Sequence, residues 1–194
     1  MNLIFATNNP GKLAEAREII TTHHILSLAE IGCNDEVPET GTTISQNAEQ
    51  KAMYIWDKNH QDCFSDDTGL EVDFLNGEPG VYSARYAGEQ KNPEDNMAKL
   101  LAALHDAPNR KARFHTEIVL VIGGTPHHFE GYVNGIITTS KRGDGGFGYD
   151  PIFQPDGFDI TMAEMTAAQK NAISHRSMAL NKMAKWIFGT CPQQ

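Results

Sequence analysis

The stretch LIFATNNPGKLAEAREII, residues 3–20, contains a strand, a turn and a helix in the order typical of an α/β fold. Leu3 to Ala6 is a short apolar run, which predicts a buried strand. Asn9 suits a helix N-cap and Pro10 suits the first helical position, so a helix is predicted to begin there. Its apolar residues recur at helical spacing: Leu13, Ala16 and Ile20.

The same alternation continues along the chain. His24 to Leu28 is predicted to be a second strand, and a third strand is predicted to run up to Phe64. Between them, Thr43 to Gln46 matches a helix capping box. An apolar stripe follows at helical spacing: Ile44, Ala48, Ala52 and Ile55. Strands and helices in this succession predict an α/β unit.

The second half of the chain predicts elements of both kinds. Asn92-Pro93 is predicted to open a helix, and Thr166 and Gln169 match a second capping box. Phe114 to Ile122 and Phe129 to Thr139 are predicted to be long strands, joined by a hairpin turn at Gly123-Gly124. A C-terminal helix is marked by four apolar residues: Leu180, Met183, Ala184 and Ile187.

Composition limits the class of protein. A chain of 194 residues with 40% apolar content predicts one domain over residues 1–194. The net charge of −9 argues against a nucleic-acid duplex or an anionic membrane as the main partner. Cys33, Cys63 and Cys191 are widely spaced, which predicts a reducing compartment and no structural zinc. The N-terminal apolar run is too short for a signal peptide or a membrane span, so the cytoplasm is the expected location.

The first candidate binding site is ATNNPGK, Ala6 to Lys12. The exposed N–H groups in the first turn of a helix favour an anion, and Lys12 adds a positive charge. The stretch is not a Walker A loop, because GxxxxGK[ST] is absent. The alternative interpretation is an ordinary strand-to-helix turn with a surface lysine.

The second candidate is FSDDTGLEVD, residues 64–73, with four acids in ten positions although neighbouring carboxylates repel one another. A strand that ends in Ser65-Asp66-Asp67 would bring carboxylates to the sheet edge where ligands bind. Mg²⁺ prefers oxygen ligands and takes one or two carboxylates together with phosphate oxygens. Glu39, in a loop before a helix, is a further candidate ligand. The alternative is that Asp66 and Asp67 only cap or shape a turn.

The third candidate is GDGGFGYDP, Gly143 to Pro151. Its glycines would let the backbone approach a ligand closely. Phe147 or Tyr149 could stack on a planar ring, and Asp150 could accept a hydrogen bond. The alternative is a flexible loop with two buried aromatic side chains.

The fourth candidate is Lys170 together with SHR, Ser174 to Arg176. Ser174 is typical of an N-cap, which puts His175 and Arg176 in a first helical turn, where donors are unfavourable for the helix dipole. A function that needs hydrogen-bond donors would explain them. The alternative is a solvated basic turn.

Taken together, these segments resemble the non-canonical purine nucleoside triphosphate pyrophosphatases, the inosine triphosphate pyrophosphatase family. The matching segments are ATNNPGK at 6–12, ETGTTISQNAEQKA at 39–52, SDDTGLEVDFLNGEPGVYSARYAGE at 65–89, GFGYDPIF at 146–153 and AEMTAAQKNAISHR at 163–176. Their order and spacing extend over nearly the whole chain, which makes the resemblance specific.

The resemblance implies an elongated α/β fold. A central mixed and twisted sheet has helices on both sides, and two lobes flank a nucleotide cleft. It also implies a homodimer that uses Mg²⁺ to hydrolyse inosine, deoxyinosine and xanthosine triphosphates to the monophosphate and pyrophosphate.

The resemblance also implies site residues. Asp67 matches the catalytic acid and metal ligand, and Glu39 matches a second acid assigned to metal less consistently. Thr68 stands where serine is commoner in the family, and Pro38, beside the second metal ligand, stands where an acid is common. The residues that match triphosphate contacts are Thr7, Asn8, Asn9, Pro10, Gly11 and Lys12. Those that match other substrate contacts, largely to base and sugar, are Thr68, Phe147, Gly148, Tyr149, Asp150, Lys170, His175 and Arg176.

Two rival functions use the same residues. A nucleotide sensor would bind the triphosphate without cleaving it, and a phosphatase would release orthophosphate. The intact DDTG and Lys12 favour catalysis over the sensor. The motif DxDxT is absent, so no covalent aspartyl-phosphate intermediate is expected.

Overall fold

The structure, a computed structural model, describes residues 2–35 and 37–190, so Cys191 lies outside the described residues. Strands and helices alternate through its first third, as the sequence predicts. The elements are β1 (Asn2–Phe5), α1 (Pro10–Ile19), β2 (His24–Leu26), α2 (Ile44–Asn59), β3 (Cys63–Val72), β4 (Pro79–Gly80), α3 (Pro93–Ala103), β5 (Lys111–Ile122), β6 (Thr125–Ile137), β7 (Phe153–Pro155), α4 (Ala167–Ile173) and α5 (His175–Thr190).

The strands form one sheet in the order β2-β1-β3-β5-β6-β7, and β4 pairs with β3. β1 is parallel to both β2 and β3, whereas the pairs β3–β4 and β6–β7 are antiparallel. The predicted mixed sheet of an α/β protein is therefore confirmed.

The chain groups into two compact units. The first contains the described residues of Met1–Asp67, Thr116–Gly131 and Arg176–Gln194, and the second contains Thr68–His115 and Tyr132–His175. Strands β3, β5 and β6 contribute residues to both units. The extent of one domain over residues 1–194, with two lobes around a cleft, stays a prediction. Among the described residues, no helix is long and apolar enough to cross a membrane.

In the first unit, β1 buries both of its faces. Leu3 and Phe5 pack in a cluster with apolar residues of α1 and α5, whereas Ile4 and Ala6 pack in another with residues of α2. Successive side chains of a strand point to opposite faces, so helices cover both sides of the sheet here. Phe5 also stacks on Phe64 of β3, with ring centroids 4.2 Å apart.

In the second unit, α3 packs on the long strands. Met97 and Leu100 belong to a buried cluster that also contains Phe114 of β5 and Phe153 of β7. Asn92 caps α3, since its side chain accepts hydrogen bonds from the next turn. The predicted helix start at Asn92-Pro93 is confirmed.

The two predicted capping boxes differ. At α4 the box is complete, because Thr166 and Gln169 exchange both hydrogen bonds. At α2 the Thr43 side chain accepts from Gln46 N–H, but the Gln46 side chain accepts from the N–H of Thr42, at 2.9 Å. The Gln46 side chain therefore binds the residue before the N-cap and not the N-cap itself. Only the Thr43 half of the predicted capping box forms.

Candidate active site

The turn before α1 is closed by its own side chains. Asn9 Oδ1 accepts from Gly11 N–H at 2.9 Å and from Lys12 N–H at 3.2 Å, and Thr7 Oγ1 accepts from Asn9 N–H at 3.2 Å. The N-cap at Asn9 is confirmed. The N–H groups predicted to attract an anion are satisfied by Asn9, while Asn8 and Pro10 are exposed.

The acidic segment lies inside a strand, not at the end of one. β3 continues to Val72, so the prediction that it ends at Ser65-Asp66-Asp67 is wrong. The reason is that β4 pairs with the later part of β3, at Leu70 and Glu71. The parallel pairing with β1 stops at Phe64, so the acids begin where β1 ends.

Asp66 is a buried carboxylate with two cationic partners. Its side chain is 1% exposed, Lys12 Nζ lies 2.9 Å from it, and Arg176 Nε lies 3.0 Å from it. Burial alone would raise the pKa of Asp66, but Lys12, Arg176 and Lys51 outweigh burial and hold the pKa well below its usual range. Asp66 is therefore ionised at neutral pH, which explains how the chain tolerates two adjacent acids.

Among Lys12, Lys51 and Arg176, only Lys12 has its pKa lowered by its surroundings. Burial lowers its pKa, and the nearby charges of Arg176 and Lys51 lower it further, although Asp66 opposes them. A second negative group beside Lys12 would further stabilise its charged form. Lys12 is thus suited to bind an anion.

Arg176 joins two carboxylates from different elements. Its Nη1 donates to Glu15 of α1 at 3.0 Å, and Ser177 Oγ donates to the same carboxylate at 2.9 Å. Burial would lower the pKa of Arg176, but Asp66 and Glu15 raise it above its ordinary value. These contacts offset the unfavourable helix-dipole position of Arg176 in the first turn of α5. Glu15 and Ser177 were not predicted, because their partner lies far away in the sequence.

Asp67 and Glu39 converge on one ammonium group. Lys51 Nζ lies 2.6 Å from Glu39 Oε1 and 3.4 Å from Asp67 Oδ1. Burial raises the pKa of Asp67, Lys51 offsets part of that rise, and the charges of Glu39 and Asp66 add to it. For Lys51, burial is outweighed by Asp67, Asp66 and Glu39, which raise its pKa. Two oxygen ligands that already share a cation fit a divalent ion of the Mg²⁺ type.

Carboxamides of α2 hold the loop that carries Glu39. Three consecutive backbone N–H groups after Glu39 donate to side chains of the first turns of this helix. The bonds are Thr40 N to Gln50 Oε1 at 2.9 Å, Gly41 N to Asn47 Oδ1 at 2.7 Å and Thr42 N to Gln46 Oε1 at 2.9 Å. A side chain at Gly41 would collide with Gln46, since an added Cβ would lie 2.7 Å from its Cβ. The spacing of residues in the sequence does not predict that these three side chains bind the loop that carries Glu39.

In the second unit, three predicted residues come together. Phe147 is 62% exposed, and Lys170 Nζ lies 4.4 Å above the centre of its ring. Lys170 also forms an ion pair with Asp150, which accepts from Phe147 N–H at 2.8 Å. The exposed ring is held by these contacts and presents a stacking surface.

The other aromatic residue of this segment packs in a hydrophobic core. Tyr149 is buried in the core of the second unit, and its hydroxyl donates to the carbonyl of Ser83 at 2.8 Å. Gly146 has φ +73, and an added Cβ there would lie 2.1 Å from the Asp150 carboxylate. Gly148 has φ +62 and open space around it. The glycine at 146 thus serves the fold of the loop itself.

His175 and Thr68 lie in regular structure. His175, the first residue of α5, is buried and stacks on Phe114, with ring centroids 4.9 Å apart. Ser174 before it has extended backbone, as an N-cap position requires. Thr68 is half-buried and follows Asp67 along β3. The roles of all these side chains toward a substrate stay predictions.

Comparison with known proteins identifies the family. The family model described as the Ham1 family matches residues 3–186, so the chain belongs to the Ham1 family.

Curated relatives and solved structures agree with this assignment. The chain is 51% identical over 191 residues to a Flavobacterium johnsoniae protein named dITP/XTP pyrophosphatase, covering 98% of this chain and 100% of the relative. It is 46% identical to the protein of that name from Bacillus subtilis, covering 95% and 96%. The Ham1 protein structure from Staphylococcus aureus superimposes with a TM-score of 0.93 at 39% identity, covering 98% of this chain and 100% of the other.

Proposed function

We propose that the protein hydrolyses inosine, deoxyinosine and xanthosine triphosphates to the monophosphate and pyrophosphate, and so removes damaged purines from the nucleotide pool. The observation that carries the proposal is the cluster of Lys12, Asp66, Asp67, Lys51 and Glu39, in which two cations and three carboxylates are held close together. The names of the full-length relatives support the substrate class.

We propose Mg²⁺ as the cofactor, held by Asp67 and Glu39. When bound, it would neutralise phosphate charge and polarise a water molecule. Asp67, whose pKa is raised by burial, is the residue assigned to accept a proton from that water. Lys51 lies beside both carboxylates and would add positive charge toward a phosphate oxygen.

The triphosphate is assigned to the segment Thr7 to Lys12. Since Asn9 occupies the N–H groups of that turn, the ammonium of Lys12 is the main donor toward phosphate. Its lowered pKa means that it gains from a second negative partner.

The base is assigned to the exposed ring of Phe147, with Lys170 and Asp150 fixing that ring. Hypoxanthine and xanthine carry an acceptor oxygen at position 6, whereas adenine carries a donor amine, so donors there favour the first two. Arg176 is engaged by Asp66 and Glu15, which leaves His175 and backbone N–H groups as the better candidates. The sequence resemblance further supports a homodimer that acts in the cytoplasm.

The product of inosine triphosphate hydrolysis tests the proposal directly. With Mg²⁺ present, we expect inosine monophosphate and pyrophosphate in equal amounts, measured by anion-exchange chromatography. An Asp67→Asn preparation purified in the same way controls for contaminating enzymes. Orthophosphate as the first product would assign a phosphatase, and binding without any product would assign a sensor.

Replacing Arg176 with alanine is expected to lower kcat/KM by a similar factor on inosine triphosphate and on ATP. A hydrogen bond to a charged group is worth about 1.5–3 kcal/mol, which corresponds to about 10–100-fold. The loss is general because the guanidinium binds Asp66 and Glu15 and acts through them. Arg17→Ala, which removes an exposed ion pair with Glu30, is the matched control. A selective loss on inosine triphosphate would instead assign Arg176 to base recognition.

A further inference from the structure

A histidine on β6 lies among glutamates from three elements of the first unit. His128 Nδ1 is 2.8 Å from Glu117 Oε1 of β5, and its Nε2 is 3.8 Å from Glu49 Oε2 of α2. A carboxylate oxygen of Glu130, also on β6, lies within 4.8 Å of one of Glu117. None of these four residues belongs to the candidate active site described above.

The two nitrogens of His128 have different environments. Glu117 is 2% exposed, and with Glu117 ionised the contact at 2.8 Å is a hydrogen bond that Nδ1–H donates to its carboxylate. Ser45 Oγ is 3.5 Å from the same nitrogen. The lone pair of Nε2 then points away from Glu117. Glu49 Oε2 at 3.8 Å is too distant for a hydrogen bond with Nε2.

The hydrogen bond between His128 Nδ1 and Glu117 is the kind that metal-binding histidines make. Ligating histidines commonly donate their other ring N–H to a carboxylate, which fixes the tautomer and orients the ring. Zinc binds imidazole nitrogen and carboxylate oxygen at about 2.0–2.2 Å each, so two such ligands of one ion lie further apart than hydrogen-bond partners. The separation of 3.8 Å between His128 Nε2 and Glu49 Oε2 fits that span after a small movement of the half-buried Glu49.

We propose that His128 Nε2 and Glu49 bind a divalent transition metal of the zinc class, with water completing the coordination. Glu117 orients the imidazole, and Glu130 adds negative charge nearby. Lys182 Nζ donates to the carbonyl oxygen of Glu130. Imidazole selects zinc-class ions over Mg²⁺, so this site differs in metal preference from Asp67 and Glu39. An ion here would tie α2 to β6.

Zinc titration of the whole protein by isothermal calorimetry tests the site. The Asp67→Asn variant, which disables the other candidate site, is expected to retain one zinc equivalent. Adding His128→Gln or Glu49→Gln is expected to abolish that binding, and Glu117→Gln to weaken it by about 10–100-fold. His127→Gln is the matched control, because His127 is the neighbouring imidazole and packs on Trp186.

Cobalt provides a second readout that does not depend on activity. We expect Co²⁺ absorption bands in the visible range that disappear with His128→Gln and persist with His127→Gln. Zinc binding that survives His128→Gln, or that is lost with Cys191→Ser, would overturn the proposal. Because His128 is exposed and Glu49 is only half-buried, their variants are expected to fold, and circular dichroism checks this.

Discussion

Replacing Asp66 with alanine is expected to lower the free energy of unfolding by about 3–5 kcal/mol, the cost of breaking a buried ion pair by removing one partner. Lys12 and Arg176 would keep their charges in a buried position and lose the carboxylate they share. Urea unfolding at pH 7, followed by circular dichroism, measures the change. Asp35→Ala, which removes an exposed pair with Lys58, is the control and is expected to cost no more than about 1 kcal/mol.

The contribution of Asp66 to stability depends on pH in a definite direction. Its pKa is lower in the folded protein than in the unfolded chain, where a carboxyl has a pKa of about 3.9. The stabilisation is therefore fully present above that value and is lost as pH falls toward the folded pKa. We expect Asp66→Ala to lower the urea midpoint at pH 7 and to change it much less in strong acid. Equal midpoints for parent and variant at pH 7 would show that Asp66 does not stabilise the fold.

Replacing Asp67 with asparagine is expected to lower kcat on inosine triphosphate by about 10²–10⁴-fold, the usual contribution of a positioned general base. The amide keeps the shape of the side chain but cannot accept a proton or carry charge toward a metal. KM should change less than kcat, because the substrate contacts assigned to other residues remain. Steady-state kinetics with Mg²⁺ measures both, and Asp57→Asn on the exposed surface of α2 is the matched control.

The same variant is expected to unfold at no lower urea concentration than the parent at pH 7 without added metal. Burial raises the pKa of Asp67, so the folded state binds a proton more tightly than the unfolded chain. Stability therefore falls as pH rises through the interval between the two pKa values, and a neutral asparagine avoids that loss. A variant that loses both activity and stability would assign Asp67 to the fold. Turnover within a few-fold of the parent would remove it from catalysis.

The local elements could be predicted because their signals lie close together in the sequence. Asn9 and Asn92 cap helices that begin with proline, and both helices start where predicted. Gly123 and Gly124 have positive φ between β5 and β6, as the predicted hairpin requires. Turn and cap chemistry is set by neighbours within a few residues, so no tertiary information is needed.

The partners of the candidate site could not be predicted in the same way. β3 extends past Asp67 because β4 pairs with it, and a two-residue strand such as Pro79–Gly80 has no periodicity to detect. The resemblance predicts Arg176 as a substrate contact, and its guanidinium also binds Asp66 and Glu15, which are 110 and 161 residues away in the chain. Residue types at a site can be recognised from motifs, whereas the choice of partner depends on packing.

The ion pair between Arg176 and Asp66 also bears on how the molecule is made. A ribosome delivers residue 66 long before residue 176, so Asp66 and Lys12 are synthesised before the guanidinium that completes their cluster. Asp66 of β3 can pair with its second cation, Arg176, only after α5 has been synthesised. A polypeptide released before residue 176 would lack the guanidinium that pairs with Asp66. Formation of the complete ion cluster is therefore coupled to translation through residue 176.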